Sequence, residues 1–487
     1  MFCQLARLRQ CLSPRIRQAL DELPKTLDET YERTFLDIHD ENWEYAHRLF
    51  QCIVVARRPL LVEELAEFLA FKSEAGGSLT FDGNWRPENA RDTVLSTCSS
   101  LIAIVNVEGS QVIQFSHFSV KEYLTSNRTA EGRVSRYYIP LEPAHLFVTQ
   151  ACLSLLLQLD DHVTKETIEE LPLARYAGRY WTDHAEFGNV SSHTEDLMKR
   201  VFHPENHHFA IWVWIFDTIL GLSMRSERPS RPRSSPLHYA ARHGFHRVAE
   251  WLITTCSQDV NVSGYNRSTP LHIASERGRF AVVQVLLMHH AYVNAGGMYD
   301  RTSLHFAACD GHPKVARLLL EHGADVNSKS STDSTPLRLL SERDGNLEVA
   351  QVLLEYGADP SVRSGSGRDS LYMALEKGHQ DLAQLLLKHG ADPNTRDVGG
   401  RTILHVSSRF GSTKVTRELL ELDADVNSRD NEGRTPLQVA LDEDNEQVVQ
   451  ILLQHGAQAS RGRRYESWFL GDHGPLHDAI QPDTTAL

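Results

Sequence analysis

The chain has 487 residues, of which 41% are hydrophobic and 23% charged, so it is long enough for two to four globular domains. Its formal net charge of −14 argues against nucleic acid or an anionic membrane as the main partner, because both require clustered Lys and Arg. Seven cysteines without CxxC spacing, and an N-terminus without the apolar core of a signal sequence, favour a cytoplasmic protein with reduced thiols.

The first part of the chain predicts helices followed by a β-hairpin. Residues 15–38 are predicted to be helical around a break at Pro24, and apolar periodicity predicts helices within 45–58, 62–71 and 86–100. Residues 101–115 predict a hairpin that turns at Glu108-Gly109, and 117–126 predict a further helix. Three helices followed by a hairpin predict a winged-helix-like domain over residues 41–128.

A winged helix serves either DNA binding or protein packing. Residues 28–44 contain seven acidic residues and Arg33 as their single basic residue, which penalises phosphate contacts. This charge favours a winged helix that packs against protein, with a DNA-binding regulator as the alternative.

Residues 129–233 predict a helical connector. Its most apolar stretch, residues 209–224, is too short to span a bilayer and contains Asp217, so we interpret it as a buried helix. His203 and His207 have i,i+4 spacing beside His208, but Pro204 interrupts the helix and no third ligand is indicated. The sequence therefore favours structural or surface histidines over a metal site.

The second half of the chain is repetitive. Openings such as "STPLHIASERG" and closings such as "HGADVN" recur over residues 234–460. The aligned leucines are Leu237, Leu271, Leu304, Leu337, Leu371, Leu404 and Leu437, with a spacing of 33 or 34 residues. This pattern resembles the ankyrin repeat, a helix–turn–helix unit of 33 residues, and predicts about seven copies in a solenoid.

The repeat letters have physical roles. Thr269 is suited to N-cap the first helix, Pro270 to its first position, and Gly278 to a left-handed end. Gly323 is expected to end a second helix and to release the chain into a finger, the loop that leads to the next first helix. Repeats four and five depart from the pattern, with an extra residue near Asp344-Gly345, Leu340 in place of Ala, and Asp369-Ser370 in place of Thr-Pro. We expect the least regular interface within 335–400.

No motif predicts catalysis, a cofactor or a metal. Seven histidines occupy repeat positions and are interpreted as structural: His238, His272, His305, His405, His322, His389 and His455. The chain has no GxSxG motif and no GxxxxGK[ST] motif, and the glycines of 363–370 fall in a finger.

The concave face of such a solenoid is the expected binding surface for a partner protein. The helical phase predicts exposed positions on the first helices at His243, Arg277, Asp310, Arg343, Lys377, Phe410 and Glu443, and Arg409 beside Phe410 is a further candidate. On the fingers the candidates are Arg301, Arg368, Arg401 and Arg434. The alternative interpretation of the arginine series is that these side chains are merely solvated. Phe410 is the sharpest candidate, because it is an aromatic residue at an exposed phase.

Long stretches of the first half are similar to one further family. Residues 19–34, 41–71, 96–105 and 114–126 resemble the region that follows the nucleotide-binding domain of fungal NACHT proteins, signal-transducing NTPases of the STAND class. The same winged-helix segment is similar to that of GPI inositol-deacylase-like proteins, and "YWTDHAEFGNVSSH" with "HFAIWVWIFD" resembles the helical connector of the fungal family. Residues 1–40 resemble only the trailing edge of a NACHT module. The family's Walker residues have no counterpart here, so the resemblance implies no NTPase activity for this chain.

We therefore expect a mainly α-helical, non-enzymatic protein-recognition module. In the resembled family, the winged helix and the connector would couple ligand binding on the repeats to an NTPase switch. The alternative is a fragment of such a switch, or of a GPI-deacylase-like hydrolase, whose catalytic domain is missing. In the tail, residues 461–487, "DHGPLHDAI" at 472–480 predicts the onset of an eighth repeat that stops after one turn. A C-terminal cap formed by Trp468, Phe469 and Leu470 is the alternative there.

Overall fold

A computed structural model describes residues 26–73, 79–98, 101–219, 232 and 234–458 of the chain. It consists of two compact units, Met1–Gln258 and Asp259–Leu487. The mainly α-helical prediction is confirmed. The predicted start of the first helical segment at 15–25 and the predicted eighth repeat at 472–480 lie outside the described residues.

The first unit begins with helices around a small antiparallel sheet. Its helices are α1 (Leu27–Leu36), α2 (Trp43–Val55), α3 (Val62–Glu67), α4 (Ala90–Cys98), α5 (Phe118–Leu124) and α6 (Asn127–Glu131). Its strands are β1 (Leu60–Leu61), β2 (Phe71–Ser73), β3 (Leu79–Phe81), β4 (Ile102–Val107) and β5 (Ser110–Phe115). Strands β1, β5 and β4 form one sheet in that order, and β2 pairs with β3.

Local sequence explains the hairpin and the core beneath it. Glu108 and Gly109 both have positive φ, 49° and 85°, which is the geometry of a two-residue hairpin turn with the twist of the flanking strands. The hairpin predicted over 101–115 is therefore present. Phe35 of α1 packs against Phe50 of α2 and Tyr137, with ring centroids 5.7 and 4.8 Å away, and all three rings are fully buried.

A second group of helices completes the first unit. They are α7 (Leu141–Leu156), α8 (Lys165–Glu169), α9 (Pro172–Ala185), α10 (Val190–His193), α11 (Glu195–Phe202) and α12 (His207–Ile219), followed by the helix pair α13 (Pro236–His243) and α14 (His246–Thr254). The described part of the stretch 209–224 is helical, and its residues 211–216 are buried, as predicted. Among the described residues, no helix is both long and apolar enough to cross a membrane.

Aromatic packing joins these helices to the first helix pair of the repeats. Phe245, between α13 and α14, stacks on Trp181 of α9 with a centroid distance of 5.6 Å, and it meets the edge of Phe202 of α11. Trp181 and Trp212 are fully buried, and their ring centroids lie 5.2 Å apart. The first repeat therefore shares a core with the preceding helices.

The described part of the second unit, residues 259–458, contains six similar helix pairs. Its first helices are α15 (Pro270–Glu276), α17 (Ser303–Cys309), α19 (Pro336–Glu342), α21 (Ser370–Glu376), α23 (Ile403–Arg409) and α25 (Pro436–Asp442). Its second helices are α16 (Phe280–Met288), α18 (Pro313–Glu321), α20 (Leu347–Glu355), α22 (Gln380–Lys388), α24 (Thr413–Glu421) and α26 (Glu446–Gln454). Thr269 N-caps α15, Pro270 is its first residue, and Gly323 has φ 84° just after α18, so these helix-end predictions are confirmed.

The two irregular repeats keep this plan by local substitution. Leu340, which stands where the pattern has Ala, is accommodated in the core with 1% exposure. Asp369 replaces Thr as the N-cap of α21 and accepts a hydrogen bond of 2.8 Å from the Tyr372 amide. Burial raises the pKa of the Asp369 carboxyl. The lower regularity expected over 335–400 stays a prediction.

Candidate protein-binding surface

The histidine that follows Pro-Leu in a repeat opening bridges two elements. In His272, Nδ1 accepts a hydrogen bond of 3.0 Å from the Thr269 amide, so the hydrogen lies on Nε2, which donates to the Ala295 carbonyl at 2.9 Å. His305 reaches the Ser334 carbonyl in the same way, and burial lowers the pKa of His305 to about 4. The structural interpretation of these histidines is confirmed.

Two histidines at the ends of second helices also bond to the backbone. Nδ1 of His322 lies 2.9 Å from the Leu318 carbonyl, and Nδ1 of His455 lies 2.8 Å from the Ile451 carbonyl. In the connector, His207 and His208 each lie 3.1 Å from a carbonyl of the segment after α7. No group of three or more potential metal ligands occurs within the described part of the chain.

Most of the first-helix candidates are exposed, and one prediction was wrong. Arg277, Asp310, Arg343, Lys377, Phe410 and Glu443 are exposed, as their helical phase predicts, and so is Arg409. His243 is only 8% exposed, and its Nδ1 lies 3.1 Å from the Glu186 carboxylate. The reason is that α9 and the following turn cover this repeat, so the phase that faces solvent in later repeats faces protein here.

Three of the four finger arginines are tied to carboxylates nearby in sequence. Arg401 pairs with Asp397 at 2.6 Å, Arg434 with Asp430 at 3.0 Å, and Arg368 of the preceding finger with Glu376 at 3.2 Å. Although burial opposes it, the hydrogen bonds from Arg401 hold the pKa of Asp397 below its ordinary value. These arginines are half-buried structural groups, and Arg301 alone among the four lacks such a carboxylate in the described structure.

Five of the twelve candidates meet at one groove of about 130 Å³. They are Arg401, Arg409, Phe410, Arg434 and Glu443. The groove lies along α21, α23 and α25, because its other walls come from Tyr372, Val406 and Val439 of those helices. Arg277, Asp310, Arg343, Arg368 and Lys377 do not line it, and Arg301 lines a separate cavity.

An aromatic side chain flanked by charges dominates the groove. Phe410 is 45% exposed although it is a large apolar residue. The guanidinium of Arg409 lies 5.9 Å from the Phe410 ring centroid and 3.5 Å from the Glu443 carboxylate. Exposed aromatic and arginine side chains in a partly enclosed pocket are the composition that dominates binding energy at protein interfaces.

Tyr372 is a groove residue that the sequence did not single out. It stands where other repeats have histidine, and its hydroxyl donates a hydrogen bond of 3.2 Å to the buried Asp397 carboxylate. The Arg368 guanidinium lies over its ring, 4.8 Å from the centroid. The available signal was the aromatic residue at the histidine position of "DSLYMALEKG".

The helix pairs, fingers and bridging histidines define a helical-repeat protein with a groove on its first helices. A family model that comprises three ankyrin repeats matches four overlapping ranges, residues 215–296, 237–330, 304–397 and 371–462. Together these matches cover just over half of the chain. The chain belongs to the ankyrin-repeat family. Ankyrin repeats bind other proteins through such surfaces, which makes this chain a protein-interaction module.

Three known proteins are similar to parts of this chain. A Monascus ruber protein named azaphilone pigments biosynthesis cluster protein L is 32% identical over 288 residues, which cover 55% of this chain and 60% of that protein. The chain thus spans less than two thirds of this relative's length. The ankyrin repeat domain of Bcl-3, a member of the IkappaB family, is 29% identical and fully covered, with a TM-score of 0.42 over 46% of this chain. That of human ASB11 is 27% identical and fully covered, with a TM-score of 0.42 over 47% of this chain.

Proposed function

We propose that the chain is a non-catalytic recognition module that binds a protein partner in the groove lined by Phe410. The observation that carries this proposal is the exposed Phe410 ring beside the Arg409–Glu443 pair. Full burial of a phenylalanine side chain in an interface contributes about 1.5–3 kcal/mol, which makes Phe410 the expected anchor. The charges at its rim would then orient the partner and exclude water.

The test is partner capture by the full chain and by the variant Phe410→Ala. The matched control is Phe280→Ala, because Phe280 is 42% exposed and lies on the second helix α16, away from the groove. Quantitative mass spectrometry of proteins captured from fungal lysate should show at least one partner that F410A loses about tenfold or more and that F280A retains. Equal loss or equal retention in the two variants would contradict the groove assignment.

The first unit is proposed to act as a winged-helix coupling domain. Helices α2, α3 and α4 with the sheet β1-β5-β4 support this assignment, and the acidic residues of α1 and the turn after it support protein over DNA as the surface that the domain contacts. Contacts between the connector and repeat one supply a route for coupling. They include the Trp181–Phe245 stack, the Arg247–Glu195 pair at 3.1 Å and His243 beside Glu186.

The resemblance to fungal NACHT proteins suggests where such coupling would be used. In a STAND-class protein, a partner bound to the repeats would bias an NTPase through the connector and the winged helix. For this chain we propose no catalysis, because neither a Walker A motif nor a nucleophile motif occurs in the sequence. Measurable affinity of the full chain for ATP or GTP in a calorimetric titration would contradict that proposal and favour a fragment of an NTP-dependent switch.

A further inference from the structure

The fingers of the second unit share one turn but differ in one side chain. In each, a backbone amide donates to the carbonyl four residues later, at 2.9–3.0 Å: Gly264 to Ser268, Gly297 to Arg301, Ser330 to Ser334, Ser364 to Arg368, Asp397 to Arg401 and Asp430 to Arg434. The first residue of this turn is aspartate in the last two fingers. It is glycine or serine in the four described fingers before them. The central fingers therefore lack the carboxylate that neutralises the finger arginine in the later ones.

Arg301 is the side chain most affected by this difference. Gly297 occupies the position from which Asp397 and Asp430 pair with their arginines. Within the described ranges, no carboxylate lies at ion-pair distance from Arg301, and its buried Nε has no hydrogen-bond partner. Its guanidinium instead lies 5.9 Å from the Tyr299 ring centroid.

A second guanidinium is present in the next repeat, where the pattern has histidine. Arg338 stands at the position of His272, His305 and His405 and is 7% exposed. It donates to the Ser334 hydroxyl and to the Glu342 carboxylate, the latter at 2.8 Å, while its buried Nε lacks a partner among the described residues.

Both arginines line one open cavity of about 430 Å³. Hydroxyl groups of Thr332, Ser334, Ser364 and Ser366 line the same cavity, and Glu342 is its single carboxylate. Gly365 leaves the wall open, because a Cβ there would meet nothing within 4 Å. The lining is thus polar and contains two guanidinium groups and one carboxylate.

The charge of the lining selects the ligand. Two guanidinium groups and one carboxylate leave a net charge of about +1, which a monoanion neutralises. A phosphoryl dianion would overcompensate this net charge. We propose that Arg301 and Arg338 bind the carboxylate of an aspartate or glutamate side chain in the partner. This inference rests on the proposed function, in that the partner is a protein.

The test uses the full chain to select from a display library of random peptides. The variant Arg301→Ser Arg338→His installs residues that this chain already carries at equivalent positions, Ser268 or Ser334 and His305, so it is expected to fold. Lys329→Gln is the control, since Lys329 is an exposed finger cation that does not line the cavity. The wild type and K329Q should enrich Asp or Glu at one peptide position, and the double variant should lose that enrichment to library background.

A recovered peptide is then synthesised with glutamate, glutamine or phosphoserine at that position. The wild type should bind the glutamate form about tenfold more tightly than the glutamine form, and the double variant should not distinguish them. Three outcomes would each overturn this inference but leave the proposed function standing. They are selection of peptides without an acidic position, enrichment that survives in the double variant, and tighter binding of phosphoserine than of glutamate. Selection of no peptide by the wild type would contradict the proposed function, and the inference with it.

Discussion

Acidification is expected to destabilise the first unit through a buried histidine pair. The Nδ1 atoms of His145 in α7 and His184 in α9 lie 2.8 Å apart, and His184 Nε2 lies 2.8 Å from the Tyr176 hydroxyl. Only one of the two facing Nδ1 atoms carries a hydrogen, so the bond between the rings cannot survive protonation of both. The Tyr176 hydroxyl also accepts from the Arg57 amide, so the network joins α7, α9 and the end of α2.

The sign and size of the effect follow from the pKa values. Burial, with the nearby Arg57 and Lys121 cations, lowers the pKa of His145 to about 4. Burial, with His145 and Arg57, lowers the pKa of His184 to about 3. Because the unfolded chain takes up protons near 6.5, stability is fully present above that pH and falls as the pH drops from 6.5 towards the folded values. At pH 5 each histidine destabilises the fold by about 2 kcal/mol, and the coupled pair by about 2–4 kcal/mol.

Urea unfolding followed by tryptophan fluorescence measures this loss. Six of the seven tryptophans lie at or before residue 251, so the signal reports the first unit. Between pH 7.5 and pH 5, the free energy of unfolding of the wild type should fall, and the histidine pair should account for about 2–4 kcal/mol of that fall. The non-titrating variant His145→Gln His184→Gln should lose about 2–4 kcal/mol less, since all other titrating groups cancel in the comparison. If both proteins lose the same free energy, the pair is not the source and the reasoning is refuted.

Two further variants test how the repeats are held. His405→Ala removes the acceptor of the Thr402 amide at the start of α23 and leaves the Arg434 carbonyl without its 2.9 Å bond. Urea unfolding followed by circular dichroism should therefore show a loss of about 2–4 kcal/mol, against less than about 1 for His455→Ala, whose bond is local. Equal losses would contradict the bridging role. Phe245→Ala removes the buried ring on Trp181 and should destabilise the first unit by about 3–5 kcal/mol in the fluorescence assay, and a loss below about 1 would mean that repeat one is not integral to that core.

Sequence patterns predicted the elements that are long or repeated, and missed those that depend on distant neighbours. The hairpin at Glu108-Gly109 and the repeat helices carry local signals, namely turn residues, caps and periodicity. Strand β1 consists of two residues that pair with Ile113 and Val112, and two residues define no period. The exposure of His243 was mispredicted because helical phase describes one helix, whereas burial depends on what packs against it.

The candidate site shows the same division. The phase of α23 predicted that Phe410 is exposed, but the finger arginines were grouped together although their environments differ. The four-residue spacing of Asp397 from Arg401 and of Asp430 from Arg434 was visible in the sequence and marks those arginines as internally paired. The same comparison distinguishes Arg301, which has Gly297 at that spacing.

Departures from the repeat pattern occur at both of the binding surfaces that we propose. A residue that follows the pattern is already bonded within the repeats, as His305 and Asp430 are, and its removal changes stability first. Tyr372 and Arg338 stand where the pattern has histidine. Tyr372 still reaches the next finger through Asp397, whereas the described contacts of Arg338 go to Ser334 and Glu342 and not to the next finger. Both side chains line a cavity. Since the bridge that Arg338 forgoes would stabilise the repeats, partner binding is the compensating role that we propose for this side chain.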